Sequence, residues 1–102
     1  MKYIFHPEAL KEYEESALYY KRISIDLAIS FVNCVEIGIQ KIIENPKAWS
    51  IIKEDVRRHL IKRFPFGIYY TLENDGIIIL AIMHMSRKPG YWISRMRKDN
   101  KV

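Results

Sequence analysis

Four side chains that can bind or rearrange a phosphate lie within one nine-residue stretch, HMSRKPGYW, namely His84, Arg87, Lys88 and Tyr91. Metal-free cleavage of RNA needs a base for the 2′-hydroxyl, cations for the developing charge and an acid for the leaving oxygen. This stretch can in principle supply all three. Arg58 or Arg63, brought alongside by strand pairing, would add positive charge. We therefore predict that His84, Arg87 and Tyr91 converge beside one of these arginines.

Each of these residues also has a structural interpretation. A histidine at the end of a strand is often a satisfied structural residue, and Arg57 and Arg58 can simply solvate the surface of a strand. The pair Tyr91 and Trp92 can form a lid over the core. The functional hypothesis therefore depends on the residues meeting at one place.

The positive charge is concentrated in the second half of the chain. The protein has 17 basic and 12 acidic residues, a net charge of +5, but residues 1–52 carry a net −1 and residues 53–102 a net +6. Such a field attracts nucleic acid or an acidic protein without specifying either. A solvated basic face is the alternative interpretation.

Several classes of site are excluded by motif. The chain has no Gly-rich phosphate loop, CxxC, HExxH or GxSxG motif, and its three histidines are far apart, so we expect neither a metal site nor a cofactor. The single cysteine, Cys34, fits the core pattern of a helix, as expected of a protein from a reducing compartment. No signal peptide or membrane span is evident, which predicts a cytoplasmic protein.

Hydrophobic periodicity predicts two helices after a short first strand, KYIF. His6 caps a helix over about residues 7–21, with Pro7 at its first position. Ser24 or Asp26 caps a second helix that ends near Glu44, before Asn45-Pro46. A short connection makes the two helices an antiparallel hairpin.

Period-two patterns then predict three strands. They are VRRHLIKR, FGIYYTL and IIILAIM, with Phe64-Pro65 and Asn74-Asp75-Gly76 as the turns between them. The order β-α-α-β-β-β predicts a single α+β domain over residues 1–102. In this fold the helical hairpin packs on a mostly antiparallel sheet.

Four segments together carry a family resemblance: FHPEA, the ENP that closes the second helix, RRHLIKRFPFGIYY and AIMHMSRKPGYW. In this order they resemble the RelE/ParE superfamily of toxins from type II toxin–antitoxin modules, many of which are known as plasmid stabilisation proteins. The resemblance covers residues 3–95. It implies a growth-inhibiting toxin held inactive by an acidic, DNA-binding antitoxin.

The superfamily divides by mechanism, and the resemblance implies different site residues for each branch. RelE-like members cut messenger RNA on the ribosome, and their catalytic residues match Arg58, Lys62, Arg87 and Tyr91 most nearly. They typically carry an arginine where this chain has Gly67. ParE-like members poison DNA gyrase, and FPFGIYY with IMH looks more like that branch, which is slightly favoured here.

The binding residues form three groups in this interpretation. His84, Arg87, Tyr91 and Arg58 are the catalytic candidates, and the candidates for contact with the target or nucleic acid are Arg57, Lys62, Arg63 and Lys88. The antitoxin is expected to wrap the helical hairpin at Tyr13, Tyr19 and Tyr20 and to approach the basic sheet. A basic nucleic-acid-binding module without toxicity is the alternative outside the family.

Overall fold

The structure, a computed structural model, describes residues 2–74, 76–87, 90 and 92–96. Its elements, in chain order, are β1 (Lys2–Phe5), α1 (Pro7–Ile23), α2 (Ile25–Glu44), β2 (Ile51–Lys53), β3 (Val56–Leu60), β4 (Phe66–Glu73) and β5 (Gly76–His84). A short 3-10 turn, Ile93–Arg95, follows. The predicted α+β fold is confirmed, with the short strand β2 as an addition to the predicted order.

Both predicted helix caps are present. The His6 ring accepts a hydrogen bond from the backbone N–H of Glu8, and the Ser24 hydroxyl accepts one from the N–H of Leu27. Each bond satisfies a backbone donor that the first helical turn leaves without a partner. Because Ser24 ends α1 and also begins α2, the two helices must turn back on each other.

The five strands form one sheet in the order β1-β5-β4-β3-β2. Strand β1 runs parallel to β5, and the other neighbouring strands are antiparallel. The helical hairpin covers one surface of the sheet, called here the helix face. The other surface, called the open face, is covered in part by residues 92–96.

The two faces have separate apolar clusters. Phe31, Val35 and Ile42 of α2 pack on the helix face against Ile68 and Tyr70 of the sheet. On the open face a smaller cluster contains Val56, Tyr69, Leu80, Ala81, Met83 and Trp92. Apolar side chains on both sides of β5 explain why its sequence is almost continuously hydrophobic.

A β-bulge in β5 changes which face its last residues occupy. Tyr69 pairs with Ala81 and Tyr70 pairs with Ile79. Leu80 is therefore an extra residue that has no pairing partner on β4. Leu80 and Ala81 consequently both face the open side, and the alternation after them is inverted. Ile82 therefore packs on the helix face, and His84, two residues later, lies on the same side.

An ion pair provides hydrogen-bond partners for the backbone groups of β5 that lie beyond the end of β1. The Arg95 guanidinium lies 2.7 Å from the Glu12 carboxylate, and the two side chains are 6% and 11% exposed. The Glu12 carboxylate also accepts a hydrogen bond from the N–H of Ile82, and Arg95 donates to the carbonyl of Leu80. These bonds replace those of a missing neighbouring strand and hold residues 92–96 against the sheet.

Candidate functional site

A basic pocket opens on the open face beside the second core. It encloses about 300 Å³. This open-face pocket is lined by Ile52, Lys53, Arg58, Tyr69, Met83, Met85, Arg87, Gly90 and Trp92. Its described charged residues are all cationic. The side chains of Tyr69, Trp92, Met83 and Met85 contribute aromatic rings and thioether sulfurs to its lining. Such a surface suits an anionic partner that also presents apolar groups.

Gly67 creates the space that Arg58 occupies in this pocket. A Cβ at position 67 would lie 3.3 Å from Arg58 Cγ, 3.3 Å from Met85 Sδ and 3.1 Å from the Tyr69 ring. A larger residue would have to displace these side chains. The glycine also suggests a close backbone approach or a bulge that positions Arg63, but the three nearest atoms belong to side chains. A bulge at Gly67 is excluded, because Gly67 pairs regularly with Leu60 and Met83.

His84 does not reach the open-face pocket. Because of the β5 bulge it projects to the helix side, where its ring packs edge-on against Phe66 with centroids 5.3 Å apart. There it lines a groove with Glu12, Glu15 and Tyr19 of α1. Its Nδ1 accepts a hydrogen bond from the Ser86 N–H and lies 2.8 Å from the Ser86 hydroxyl. The predicted convergence of His84 with Arg58 is therefore wrong, since the sheet lies between them.

Arg87 is the predicted residue that does meet Arg58. It lines the open-face pocket with Arg58 and also the groove that contains His84. Arg87 thus lies at the end of the sheet between its two faces. The other two candidates of this stretch, Lys88 and Tyr91, lie outside the described residues.

Arg57 has structural contacts on the helix face. Its Nη1 donates to the carbonyls of Lys47 and Trp49, at 3.1 Å and 2.7 Å. It therefore holds the loop between α2 and β2 against the sheet. Tyr70 supports the same loop, because its hydroxyl donates to the carbonyl of Pro46 at 2.6 Å. Burial raises the pKa of Tyr70 to about 12 despite the nearby Arg57 charge, so this donor stays protonated at neutral pH.

Lys62 and Arg63 lie in a different place from Arg58. Both line a groove beside α2, which also contains Lys41 and His59. Arg63 adopts the left-handed conformation, with φ of 71°, in the loop between β3 and β4. The alternative in which Arg63 joins the phosphate-binding stretch is therefore wrong, because its groove is on the helix side.

The three tyrosines predicted to bind the antitoxin differ in accessibility. Tyr13 and Tyr20 pack against Phe31 in the helix-face core. Burial and a hydrogen bond donated to Glu36 raise the pKa of Tyr13, and burial raises that of Tyr20. Only Tyr19, 57% exposed, presents most of its ring to a partner.

The sequence patterns did not identify the apolar outer surface of the hairpin. It consists of Leu18, Ile25, Ile29 and Ile37, each more than half exposed. Ile25, Ile29 and Ile37 follow one another at intervals of four and eight along α2, which places them on one side of the helix. That spacing was visible in the sequence, but the more strongly apolar core face of α2 concealed it.

No group of three or more His, Cys, Asp or Glu side chains in the described ranges is arranged to hold a metal ion. None of the described helices combines the length and apolarity that crossing a membrane requires.

Comparison with known proteins identifies the family. A sequence profile described as "ParE toxin of type II toxin-antitoxin system, parDE" matches residues 3–89. The solved structure "Chromosomal ParDE TA system from P. aeruginosa" superimposes with a TM-score of 0.70, at 19% identity over 82% of this chain and 95% of that chain. No curated protein sequence matches. The predicted RelE/ParE resemblance is thus confirmed, and the chain belongs to the ParE toxin family of type II toxin–antitoxin systems.

Proposed function

We propose that this toxin arrests growth by binding DNA gyrase through the open-face pocket. The observation that carries the proposal is the distribution of the residues nearest to the nuclease set. Arg58 and Arg87 share the pocket, but Lys62 lies in the α2 groove and Gly67 contributes no cation. A pocket with an incomplete catalytic set is better suited to binding than to cleaving.

The pocket has the composition of a protein contact site. Arg58, Arg87 and Lys53 supply positive charge. The rings of Tyr69 and Trp92, which line the same pocket, are tilted by 37° to each other with centroids 5.6 Å apart. Arginine and aromatic residues are enriched where interfaces concentrate their binding energy. An acidic surface of gyrase, or the DNA that gyrase holds, complements this charge. Gyrase as the target would place the toxin in the cytoplasm.

Ribosome-dependent cleavage of messenger RNA is the second candidate. This function is favoured because Arg58, Arg87 and Lys53 line one pocket. Three cations can stabilise the negative charge that develops on a scissile phosphate. In this alternative Tyr91 would complete the site, as its resemblance to the nuclease tyrosine implies.

One pair of variants separates these functions from a non-toxic basic module. Arg58→Gln/Arg87→Gln removes two charges from the pocket, and Lys21→Gln/Arg22→Gln removes two from the exposed last turn of α1. The first variant should abolish growth arrest and the second should retain it. Equal toxicity of both variants would contradict a role for the pocket.

The target is then identified with the wild-type toxin. Inhibition of supercoiling by purified gyrase, with trapped cleavage complexes and intact transcripts, supports the gyrase proposal. Ribosome-bound transcripts cut within codons, with unaffected gyrase, support the nuclease instead.

As a ParE-family toxin, the chain has a cognate antitoxin as its partner, and we place the antitoxin on the outer surface of the helical hairpin. Ile25 and Ile29 of that surface, together with the exposed Tyr19 of α1, would be covered by an apolar segment of the antitoxin. Acidic antitoxin residues would continue toward the basic half of the chain.

This placement is tested by exposed substitutions that do not affect the core. Ile25→Ser/Ile29→Ser should weaken antitoxin binding at least tenfold, with an unchanged urea midpoint. Leu60→Ser, at an exposed position on the open face, is the matched control. Equal antitoxin affinity for both variants would place the antitoxin elsewhere.

A further inference from the structure

A second basic cavity lies on the opposite side of the sheet from the open-face pocket. This α2 groove runs between α2 and the chain that follows β3, and it encloses about 280 Å³. Its lining residues are Ser30, Asn33, Cys34, Ile37, Gly38, Lys41, His59, Ile61, Lys62 and Arg63. Three of them are cationic and none is acidic.

The three cations of the groove have no counter-charge within the described part of the chain. Lys41, Lys62 and Arg63 form no ion pair with a described carboxylate, in contrast to Arg95, which pairs with Glu12. Three like charges around one cavity repel each other and create a local positive potential. Arg63 in addition adopts a left-handed backbone conformation, which is unfavourable for a residue with a side chain.

Gly38 allows the groove to have a histidine in its floor. A Cβ at this position would meet Ile68 Cδ1 at 2.9 Å, Ile61 Cγ2 at 3.1 Å and His59 Cδ2 at 3.2 Å. Glycine therefore lets α2 approach the sheet closely enough for the His59 ring to lie beneath the helix. Lys41 follows on α2 one turn later, at the same groove.

His59 is a buried polar residue with unused hydrogen-bonding capacity. The residue is 7% exposed, and its Nδ1 has no hydrogen-bond partner among the residues that the structure describes. Burial and the Lys41 charge lower the pKa of His59, so the ring is neutral at neutral pH. With its hydrogen on Nδ1, the neutral ring has an unused donor, which an oxyanion can accept from. Buried polar groups without a protein partner indicate a place where another molecule can bind.

We propose that the α2 groove binds a phosphate monoester, with Lys41, Lys62, Arg63 and the His59 ring around its oxygens. Two lysines and the planar arginine fork suit an oxyanion with several acceptor oxygens and two negative charges. Ile37 and Ile61 form an apolar wall for the organic part of the ligand. This site is independent of gyrase and of the open-face pocket.

The direct test follows the ring nitrogens of His59 by NMR during titration of the whole toxin at constant ionic strength. The probes are inorganic phosphate, a nucleoside 5′-monophosphate and the same nucleoside without phosphate. We expect saturable shifts of His59 with both phosphate compounds and none with the nucleoside, while the exposed His84 ring serves as the internal control. Tighter binding of the monophosphate would identify the organic part as a second determinant, and equal binding would restrict recognition to the anion.

Charge variants test whether binding is specific to the groove. Lys62→Gln/Arg63→Gln changes two exposed residues and should weaken phosphate binding at least tenfold. Lys21→Gln/Arg22→Gln removes the same charge from α1 and should leave binding within twofold. The proposal is overturned if both variants bind equally, if His59 does not respond to phosphate, or if the nucleoside alone shifts it as strongly. Growth arrest is measured in parallel, so that a failure here is distinct from a failure of the gyrase proposal.

Discussion

The two faces of the sheet use the same residue types for different purposes. On the helix face Arg57 and Tyr70 donate to carbonyls of the loop between α2 and β2, and they hold that loop in place. On the open face their sequence neighbours Arg58 and Tyr69 line a pocket instead. Adjacent side chains of a strand project to opposite faces of the sheet. A shift of one residue along the chain therefore separates a side chain with a structural role from one that lines the pocket. Residue type alone therefore says little about function here.

The largest effect is expected at the ion pair that joins the two faces at the edge of β5. Arg95→Met would leave the Glu12 carboxylate buried without its counter-charge, and the free energy of unfolding should fall by about 3–5 kcal/mol. Urea denaturation measures this change. In the double variant Glu12→Leu/Arg95→Met part of the loss should be recovered, because no charge is left buried. A loss below about 1 kcal/mol in the single variant would contradict the buried pair.

The adjacent arginines provide the clearest contrast between the faces. Arg57→Met removes hydrogen bonds from a charged donor to two carbonyls and should cost about 1.5–3 kcal/mol of unfolding free energy. Arg58→Met should cost under about 1 kcal/mol but should reduce toxicity. Methionine keeps most of the apolar stem in both cases. The comparison fails if the two variants have the same urea midpoint or if only Arg57→Met loses toxicity.

Gly67 tests whether the open face depends on space as well as charge. In Gly67→Val the new side chain should displace Arg58 and Met85, at a cost of about 1 kcal/mol, near the lower limit for overpacking. The cost is low because flexible side chains can move away. Toxicity should fall more than stability, and Gly67→Ala should be intermediate. Wild-type toxicity and stability in the valine variant would show that the glycine has no role.

The smallest effect is a pH dependence that belongs to the helix face. Burial and Lys41 lower the pKa of His59 below its usual 6.5. Its contribution to stability is therefore present above about pH 6.5 and is lost as the pH falls through the lower folded-state pKa. Between about pH 7 and pH 5 the urea midpoint should fall less in His59→Phe than in the wild type. An identical decrease in both proteins would assign the effect to other groups.

Much of the fold follows from local signals in the sequence. His6, Ser24 and the Asn45-Pro46 pair define the helix ends, and alternating residues define β3 and β4, because capping and side-chain period are local properties. The position of His84 could not be predicted in the same way. A single extra residue, Leu80, inverts the alternation of β5, and the continuous apolar run IIILAIM carries no polar residue that would have revealed it.

The candidate site was predictable only in part, because the positions of some of its residues depend on contacts between distant parts of the chain. Arg58 and Arg87 were identified from residue type and strand order, and they do share a pocket. Lys62 and Arg63 do not join them, because strand β3 ends at Leu60 and the chain then turns toward α2. The loop after β3 is bonded to the chain after β5, because the Pro65 carbonyl accepts a hydrogen bond from the N–H of Met85. That contact is distant in sequence and is not encoded in a local pattern.

The parallel pairing of β1 with β5 has a consequence for the synthesis of the toxin. The first strand of the chain can pair only with the last, and β5 lies between β1 and β4 in the sheet. Ribosomes add about 5–20 residues per second, so for several seconds the emerging chain lacks β5, the strand that connects β1 to β4. We expect no growth-arresting activity from a nascent chain that ends before β5. A complete toxin can therefore form only after β5 has been synthesised and has paired with both β1 and β4.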